Sequence, residues 1–369
     1  MSFVVKYKDS NSNARVGTLR TSSGEIETPV FMPVCTGGVP KALSIDALSS
    51  IGFNFIVVNA YHLFLRPGHE EIKDFGGLHS FLNWKGAILT DSGGFQIFSL
   101  SSSATIEDEG VSFKSFIDGS TNLITPELSI KIQESLGSDL MMILDDCPKS
   151  DSEYSRILSS IERTREWALR SKKAKKTKNQ LFGIVQGGIY KDLRKLSIDH
   201  MLDIDFDGYA IGGLGLGEGQ DATYEITDHV CSFLPVDKPR YSMGIGKPED
   251  IINSVEKGVD IFDCVVPTRN ARNGTLYTSN GKINIKNSMY SMSDEPIDSH
   301  CDCYICKNYS IGYIRYLYMS GEIAALSLMS SSNLYFYKQL IDSIRKSIKG
   351  DSFMDFKKTF LERYRDEKN

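Results

Sequence analysis

The stretch Ala87-Ile88-Leu89-Thr90-Asp91-Ser92-Gly93-Gly94-Phe95-Gln96 decides the fold, because a short apolar run ends at an aspartate and gives way to a glycine turn. The same order recurs along the chain of 369 residues. The apolar runs cover residues 29–34, 55–59, 87–91, 140–145, 181–186, 208–213, 240–244 and 261–266. They are continuous rather than alternating, which is typical of parallel strands buried on both faces.

Helical patterns separate these runs. They cover residues 44–51, 126–136, 151–172, 190–201, 222–234 and 248–257. We expect Thr125 and Asp151 to cap helices at their N-termini, and Pro126 and Pro248 to occupy first helical turns. Eight βα units predict an α/β protein with a (β/α)8 TIM-type barrel.

Composition narrows the class of protein. Apolar residues make up 41% of the chain, which is enough for a large core, and the net charge of −5 does not by itself indicate a nucleic-acid binder. The polar first twelve residues lack the apolar stretch of a signal peptide, so we expect a cytoplasmic protein. The basic tract at residues 172–178 can contact a polyanion, although a solvated helix end is the favoured interpretation.

Three of the seven cysteines, Cys301, Cys303 and Cys306, lie within six residues. An odd number of cysteines argues against a disulfide framework, and the close spacing indicates a metal site instead. We therefore expect a small C-terminal zinc-binding-type subdomain near the last βα unit. The predicted division is a catalytic barrel at 1–284, the cysteine-containing subdomain at 285–340, and a C-terminal helix packing back on the barrel at 341–369.

Polar and glycine residues stand at or just after the ends of seven predicted strands. These residues are Asn59, Asp91, Asp145, Gln186, Gly213, Gly244 and Asp263. A TIM barrel carries its active site at the carboxyl rim of its strands. The convergence of seven such positions on one rim predicts a functional site rather than a set of helix caps.

The three rim aspartates allow two kinds of chemistry. Carboxylates can bind a divalent metal, but His62 alone among the histidines lies near a predicted strand end. They can also attack the anomeric carbon of a sugar, with one carboxylate as nucleophile and another handling protons. Gln186 and its glycine neighbours can read a planar base, and Phe95 and Met243 can sandwich it.

Several long strings extend this interpretation to a family. They lie at residues 90–96, 182–188, 212–219, 244–248 and 262–274. Through these strings the chain resembles the bacterial type of queuine tRNA-ribosyltransferases, which are also called tRNA-guanine transglycosylases. The resemblance runs from about Ala14 to the C-terminus. The resemblance implies a pentosyltransferase that replaces guanine at anticodon position 34 with a 7-deazaguanine, in queuosine biosynthesis. It also implies GUN-anticodon tRNAs (Asp, Asn, His and Tyr) as substrates, and a homodimer.

The resemblance assigns roles to individual residues. Asp263 corresponds to the nucleophile that forms a covalent ribosyl-enzyme, and Asp91 to the general acid/base. The residues that correspond to substrate-binding positions are Asp145, Gln186, Gly213, Leu214, Ser92, Phe95, Met243 and Asn59, with Val34 also near the ribose. Those that correspond to RNA-binding positions are Gly244, Lys247, Arg269 and Arg272. For these four a solvated loop is the alternative.

The resemblance breaks at the metal site. Cys301, Cys303 and Cys306 match the family's zinc ligands, but Ser332 stands where the family has a fourth, histidine ligand. Serine is a poor zinc ligand. Three possibilities follow: His300 moves in, water or Asp302 fills the fourth place, or zinc binds weakly or not at all.

The residues leave open which base enters and which class of activity the chain has. Bacterial members of the resembling family usually carry residues like alanine and valine where this chain has Gly215, which adds room for the incoming base, and Leu216, which removes it. We favour the prequeuosine base over queuine. A catalytically silent tRNA-binding subunit is a second possible function, although such a subunit keeps zinc ligands and loses catalytic residues, the reverse of the pattern here. A metal-dependent barrel hydrolase is a third, and it predicts activity that chelators abolish.

Overall fold

Eight parallel strands form a closed barrel in the computed structural model, which describes residues 2–100 and 104–364. The strands of the described chain are β1 (Phe3–Lys8), β2 (Arg15–Thr21), β3 (Gly24–Thr28), β4 (Val30–Cys35), β5 (Phe55–Val58), β6 (Ala87–Thr90), β7 (Thr105–Ile106), β8 (Val111–Lys114), β9 (Thr121–Ile124), β10 (Leu140–Met142), β11 (Gln180–Val185), β12 (Gly208–Ile211), β13 (Arg240–Ser242), β14 (Ile261–Cys264), β15 (Thr275–Thr278) and β16 (Gly281–Asn284). The barrel order is β4-β5-β6-β10-β11-β12-β13-β14, and pairing of β14 with β4 closes it. The predicted TIM-type barrel is confirmed.

Helices follow the barrel strands and surround them. They are α1 (Ile45–Ile51), α2 (Ala60–Leu65), α3 (His69–Asp74), α4 (Gly77–Leu82), α5 (Gly94–Leu100), α6 (Pro126–Leu136), α7 (Tyr154–Ala174), α8 (Lys191–Ile204), α9 (Gln220–Phe233), α10 (Pro248–Glu256), α11 (Val266–Arg272), α12 (Tyr304–Asn308), α13 (Ile311–Met319), α14 (Ile323–Lys349) and α15 (Phe353–Arg363), with a 3-10 turn at Ser288–Tyr290. The six predicted helices are all present, with ends displaced by no more than three residues.

One of the two predicted N-caps is correct. The Thr125 hydroxyl accepts a hydrogen bond from the Leu128 N–H at 3.2 Å, so Thr125 caps α6. The expectation for Asp151 is wrong, because α7 starts three residues later with Glu153 at its N-cap position. A tight turn, in which the Ser152 N–H donates to the Lys149 carbonyl at 3.1 Å, occupies the intervening residues and delays the helix.

Burial explains why the apolar runs do not alternate. Every residue of β5, β6, β10, β11, β12 and β13 is buried. One face of each strand fills the barrel interior and the other packs beneath helices, so both faces require apolar side chains. Polar residues therefore collect where the strands end.

Smaller elements complete the molecule. Strands β1–β3 and β7–β9 form two antiparallel sheets, and β15–β16 form a hairpin after α11. Helix α14 joins this hairpin to α11, since the buried Asn333 amide donates to the Pro267 carbonyl of α11 at 2.9 Å and to the Thr275 carbonyl of β15 at 3.0 Å. The division at residues 284 and 340 stays a prediction; α14 spans the second boundary, and residues 365–369 lie outside the described chain.

The basic tract at residues 172–178 lies at the end of α7 that leads into the amino end of β11, opposite the carboxyl rim. The Lys172 ammonium donates to the Asp205 carbonyl at 2.6 Å and contacts the Ile204 carbonyl at the end of α8. Because the basic tract lies at the end of the barrel opposite the carboxyl rim, its position favours the interpretation as a solvated helix end over contact with a substrate bound at the rim. None of the helices in the described segments has the length and apolar character that a membrane crossing requires.

Candidate active site

The structure places the seven predicted rim residues at or just beyond the carboxyl ends of the barrel strands. Six of them form hydrogen-bonded pairs. One group joins Asn59 to Asp91, a second joins Asp145 to Gln186, and a third joins Gly244 to Asp263. Since these residues lie in or just after six different strands, the barrel itself brings them together.

Asp91 is buried directly after β6, with its carboxylate held by donors from the end of β5. The Asn59 amide donates to one carboxylate oxygen, and the Ala60 N–H donates to the other at 3.0 Å. Burial raises the pKa of Asp91 from its usual 3.8 to about 7, against the opposing effect of these two donors. The charge of Asp263, on the same rim, also raises the pKa of Asp91.

Asp263 lies within β14, beside the end of β13. Its Oδ1 accepts hydrogen bonds from the Tyr241 hydroxyl at 2.6 Å and from the Gly244 N–H at 2.9 Å. Burial raises the pKa of Asp263, and these two donors lower it. Gly244 has a φ of +73°, which aims its N–H at the carboxylate and suits glycine. The arrangement presents a fixed carboxylate to the centre of the rim.

Asp145 and Gln186 form the second carboxylate group. The Gln186 amide donates to Asp145 Oδ2 at 2.6 Å, and burial raises the pKa of Asp145 to about 7. Gly213 lies against this pair, because a Cβ at that position would come within 2.6 Å of the Gln186 Oε1 atom. With a φ of +69°, Gly213 meets both the steric and the backbone requirement for glycine.

The loop after β12 is organised by Glu218. Its carboxylate accepts the Gly215 N–H at 2.5 Å, the Leu216 N–H at 3.0 Å and the Ser150 hydroxyl at 3.0 Å. Leu214 is buried while Leu216 is 39% exposed. The loop is therefore held by one carboxylate from within, next to Gly213.

The remaining predicted base contacts lie on two sides of the rim. Ser92 is buried after β6, and its carbonyl accepts the Ser129 hydroxyl at 2.9 Å. Phe95 follows on α5 and is 44% exposed, whereas Met243 is half-buried after β13. An exposed ring at a buried rim is available to a ligand, and stacking by Phe95 and Met243 stays a prediction.

Two residues that hold the site were missed in the sequence. Tyr241 lies two residues before Met243 in the predicted strand at 240–244, and the alternation expected along that strand would put both on one face, a signal that points to Tyr241. In the structure β13 ends at Ser242. Arg194 is fully buried on α8, and its guanidinium donates to the carbonyls of Gly188, Val185 and Gly212 at 2.8–2.9 Å. No sequence pattern identifies Arg194, because its partners lie at or just after the ends of two different strands, β11 and β12.

The predicted RNA-contacting residues surround the Asp263 end of the rim. Lys247 is exposed at the N-cap position of α10. Arg269 is exposed on α11, which follows β14, and Arg272 lies half-buried one turn later. The Arg272 guanidinium donates to the Thr268 carbonyl at 2.9 Å, so its orientation is fixed by the helix.

The cysteine group fits a metal. The sulfur atoms of Cys301, Cys303 and Cys306 lie within 4.8 Å of one another, close to the separation of about 3.8 Å that tetrahedral zinc with three thiolates requires. Cys303 is buried, and its sulfur accepts the Cys306 N–H at 3.3 Å. Zinc bound here would cross-link residues 301–306.

Comparison with known proteins agrees with this geometry. A family model described as queuine tRNA-ribosyltransferase matches residues 9–366. A protein of that name from Caldanaerobacter subterraneus is 52% identical over 366 residues, 98% of each chain. Others are 50% identical in Fusobacterium nucleatum (97% of each chain) and 48% identical in Halothermothrix orenii (99% of this chain and 98% of that one). The chain therefore belongs to the queuine tRNA-ribosyltransferase family of pentosyltransferases.

Proposed function

We propose that this protein exchanges guanine at anticodon position 34 of tRNA for a 7-deazaguanine, by double displacement through a covalent intermediate. The observation that carries the proposal is that the buried Asp91, after β6, and the half-buried Asp263, in β14, lie on the same barrel rim, and each carboxylate is held by two hydrogen-bond donors. Enzymes that substitute at an anomeric carbon with retention of its configuration usually use two carboxylates in different environments, one as nucleophile and one as acid/base.

In the first step the Asp263 carboxylate attacks C1′ of the target ribose. The bond from C1′ to guanine breaks, its electron pair leaves with the base, and Asp91 supplies the proton that neutralises the departing guanine. A pKa of about 7 suits Asp91 for this work, because the residue is available in both protonation states near neutral pH.

In the second step Asp91, now ionised, takes the proton from N9 of the incoming base. The N9 electron pair attacks C1′, the bond to Asp263 breaks, and both carboxyl groups return to their starting states. Two inversions preserve the β configuration of the nucleoside.

Recognition of the base falls to the Asp145 group. A carboxylate at Asp145 accepts hydrogen bonds from the N1–H and exocyclic amino group of guanine, which favours its ionised form when the base binds. Gln186 and the backbone of Gly213 and Leu214 face the rest of the base edge, and Phe95 and Met243 stack on it. Ser92 and Asn59 lie beside Asp91, near the ribose.

Recognition of tRNA falls to Gly244, Lys247, Arg269 and Arg272. The target nucleotide must leave its stack to reach a buried rim, so an anticodon loop is a better substrate than a duplex. We propose tRNAs with GUN anticodons (Asp, Asn, His and Tyr) as substrates and the prequeuosine base as the preferred incoming base. Because the substrate is tRNA, the reaction belongs to the cytoplasm.

We also propose a homodimer and a structural zinc ion. Apolar side chains are exposed on and around α12 and α13, among them Tyr304 at 67%, Tyr313 at 47%, Tyr316 at 63% and Met319 at 56%. Exposed patches of this kind mark association surfaces, and a second copy of the chain is the partner that a symmetric interface offers. Zinc at the neighbouring cysteines would stiffen this face.

The test is incorporation of radiolabelled guanine into unmodified tRNA-Tyr, with the prequeuosine base and queuine as competitors. We expect label at position 34 and stronger competition by the prequeuosine base. Asp263→Asn should still bind tRNA but form no covalent adduct. Binding of tRNA without any label would indicate a silent subunit, and tRNA-independent activity abolished by chelators would indicate a hydrolase.

A further inference from the structure

The three-cysteine group has an open fourth side. Within the described residues 2–100 and 104–364, no histidine, aspartate or glutamate places a ligand atom within 4.8 Å of all three sulfurs. Zinc in structural sites is almost always four-coordinate and tetrahedral. Three thiolates alone therefore leave one coordination position to be filled from elsewhere.

The two neighbouring residues that can offer a ligand have other partners. The His300 side chain is 69% exposed, and its Nδ1 lies 3.7 Å from Asp298 Oδ1 and 3.4 Å from the Ser299 hydroxyl. The exposed Asp302 carboxylate accepts a hydrogen bond from the Tyr335 hydroxyl. Either residue must give up these contacts to reach the metal.

A cavity of about 280 Å³ lies against the same group. Its lining includes Cys301, Asp302, Ser332, Tyr335 and Gln339. Ser332 is buried on α14, at the position where the resembling family carries its fourth ligand, so a short side chain stands where an imidazole would project. A cavity of about 150 Å³ holds a benzene-sized molecule, so this one has room for an imidazole ring beside the cysteines.

We propose that the metal centre of this chain keeps its fourth position open toward this cavity and takes a small neutral nitrogen donor there. Charge selects the class of ligand. Zinc with three thiolates carries a net charge of −1, and the same cavity is lined by two carboxylates, Asp298 and Asp302, against one guanidinium, Arg363. A further anionic ligand is therefore disfavoured relative to a neutral imidazole, and water fills the position when no such donor is present.

Cobalt substitution tests the proposal without reference to catalysis. The full-length protein is loaded with Co²⁺, whose visible absorption reports coordination by thiolates and the nature of the fourth ligand. Imidazole is then titrated into the loaded protein. We expect a saturable change in the d–d bands while the thiolate charge-transfer absorption persists, which shows that imidazole adds to the metal without removing it.

Two variants sharpen the test. Ser332→His should show the imidazole-type spectrum with no imidazole added and should respond no further. It should also bind zinc at least about tenfold more tightly in chelator competition, since even a residue that merely orients a metal ligand changes affinity by about 10–100-fold. Gln339→His is the matched control, because it adds the same ring to the same cavity two turns along α14 and should behave as the wild type.

The titration of the wild type stands even if Ser332→His does not fold. A wild-type cobalt spectrum that does not change when imidazole is added overturns the proposal. In that case, a changed cobalt spectrum in His300→Ala or Asp302→Ala would identify the residue that fills the fourth position. Failure of the full-length protein to take up Co²⁺ with thiolate charge-transfer absorption also overturns it.

Discussion

At the scale of single residues, the site depends on how each carboxylate is held. Asp263 is half-buried and receives two donors, whereas Asp91 is buried and receives two donors beside a neighbouring negative charge. Burial raises both pKa values, while the donors decide by how much. Small changes in those donors should therefore appear in the pH dependence of the exchange reaction.

Replacing Tyr241 by phenylalanine removes one donor from Asp263. Because the Tyr241 hydroxyl lowers the pKa of Asp263, its loss should raise that pKa and move the acidic limb of kcat/KM upward by about one pH unit. The measurement is the pH profile of guanine exchange. Tyr154→Phe is the matched control, since that exposed tyrosine also donates to an aspartate, Asp192, at 2.7 Å. A lower rate with an unmoved profile would contradict the assignment.

Asp91→Asn should abolish exchange and yet stabilise the fold at alkaline pH. With the pKa of Asp91 raised from 3.8 to about 7, the folded state binds more protons than the unfolded state between those values. The free energy of unfolding of the wild type should therefore fall over that window, by on the order of 4 kcal/mol. The variant lacks this contribution, so the gap between their Tm values should open above pH 4 and level off above pH 7. The control is Asp151→Asn, at an exposed position, whose Tm should follow that of the wild type at every pH. An equal pH dependence of Tm in the wild type and in Asp91→Asn would contradict the prediction.

At the scale of elements, the strand ends and the loops after them divide the work. The strands supply Asp263 and the positions next to Asn59, Asp91 and Gln186. The loop after β12, which Glu218 holds through backbone hydrogen bonds, lies on the side of the rim where we propose that the base binds. This loop has little room next to Gln186. A substitution at a glycine beside Gln186 should therefore disturb the site more than one at a glycine of the same loop with open space around it.

Gly213→Ala should weaken base binding while leaving the fold intact. The added methyl group would lie 2.6 Å from Gln186 Oε1 and displace the amide from Asp145, so KM for the incoming base should rise about tenfold or more. Gly219→Ala is the control, because its φ of +87° imposes similar backbone strain but a Cβ there meets nothing within 4 Å. Equal KM values in the two variants would show that strain alone matters.

The sequence predicts the barrel well because burial on both faces leaves unbroken apolar runs, as in β5 and β11. It also predicts which strand ends carry polar groups. It does not predict the contacts between them, since Tyr241 and Asp263 are 22 residues apart and meet only after β13 and β14 pair. The short antiparallel strands β7–β9 escape notice because two to four residues carry too little pattern.

At the scale of the whole molecule, the proposed dimer gives a direct test of the aromatic face on α13. The double variant Tyr313→Asp/Tyr316→Asp places two charges on exposed positions and should shift the protein from dimer to monomer in sedimentation equilibrium. Phe233→Asp, a change of aromatic to charge on α9, should leave the dimer intact. A wild type that sediments as a monomer at micromolar concentration would end the proposal.

The pairing of β14 with β4, which closes the barrel, determines when the chain can complete its active site during synthesis. β4 leaves the ribosome early, but it has only one neighbour until β14 arrives more than two hundred residues later. Until then the nascent chain has an open sheet edge, which is prone to wrong pairing, and it lacks Asp263 altogether. Without Asp263, Asp91 and Asp145 lack the proposed nucleophile, so we expect a chain that ends before residue 261 to be inactive and prone to aggregation.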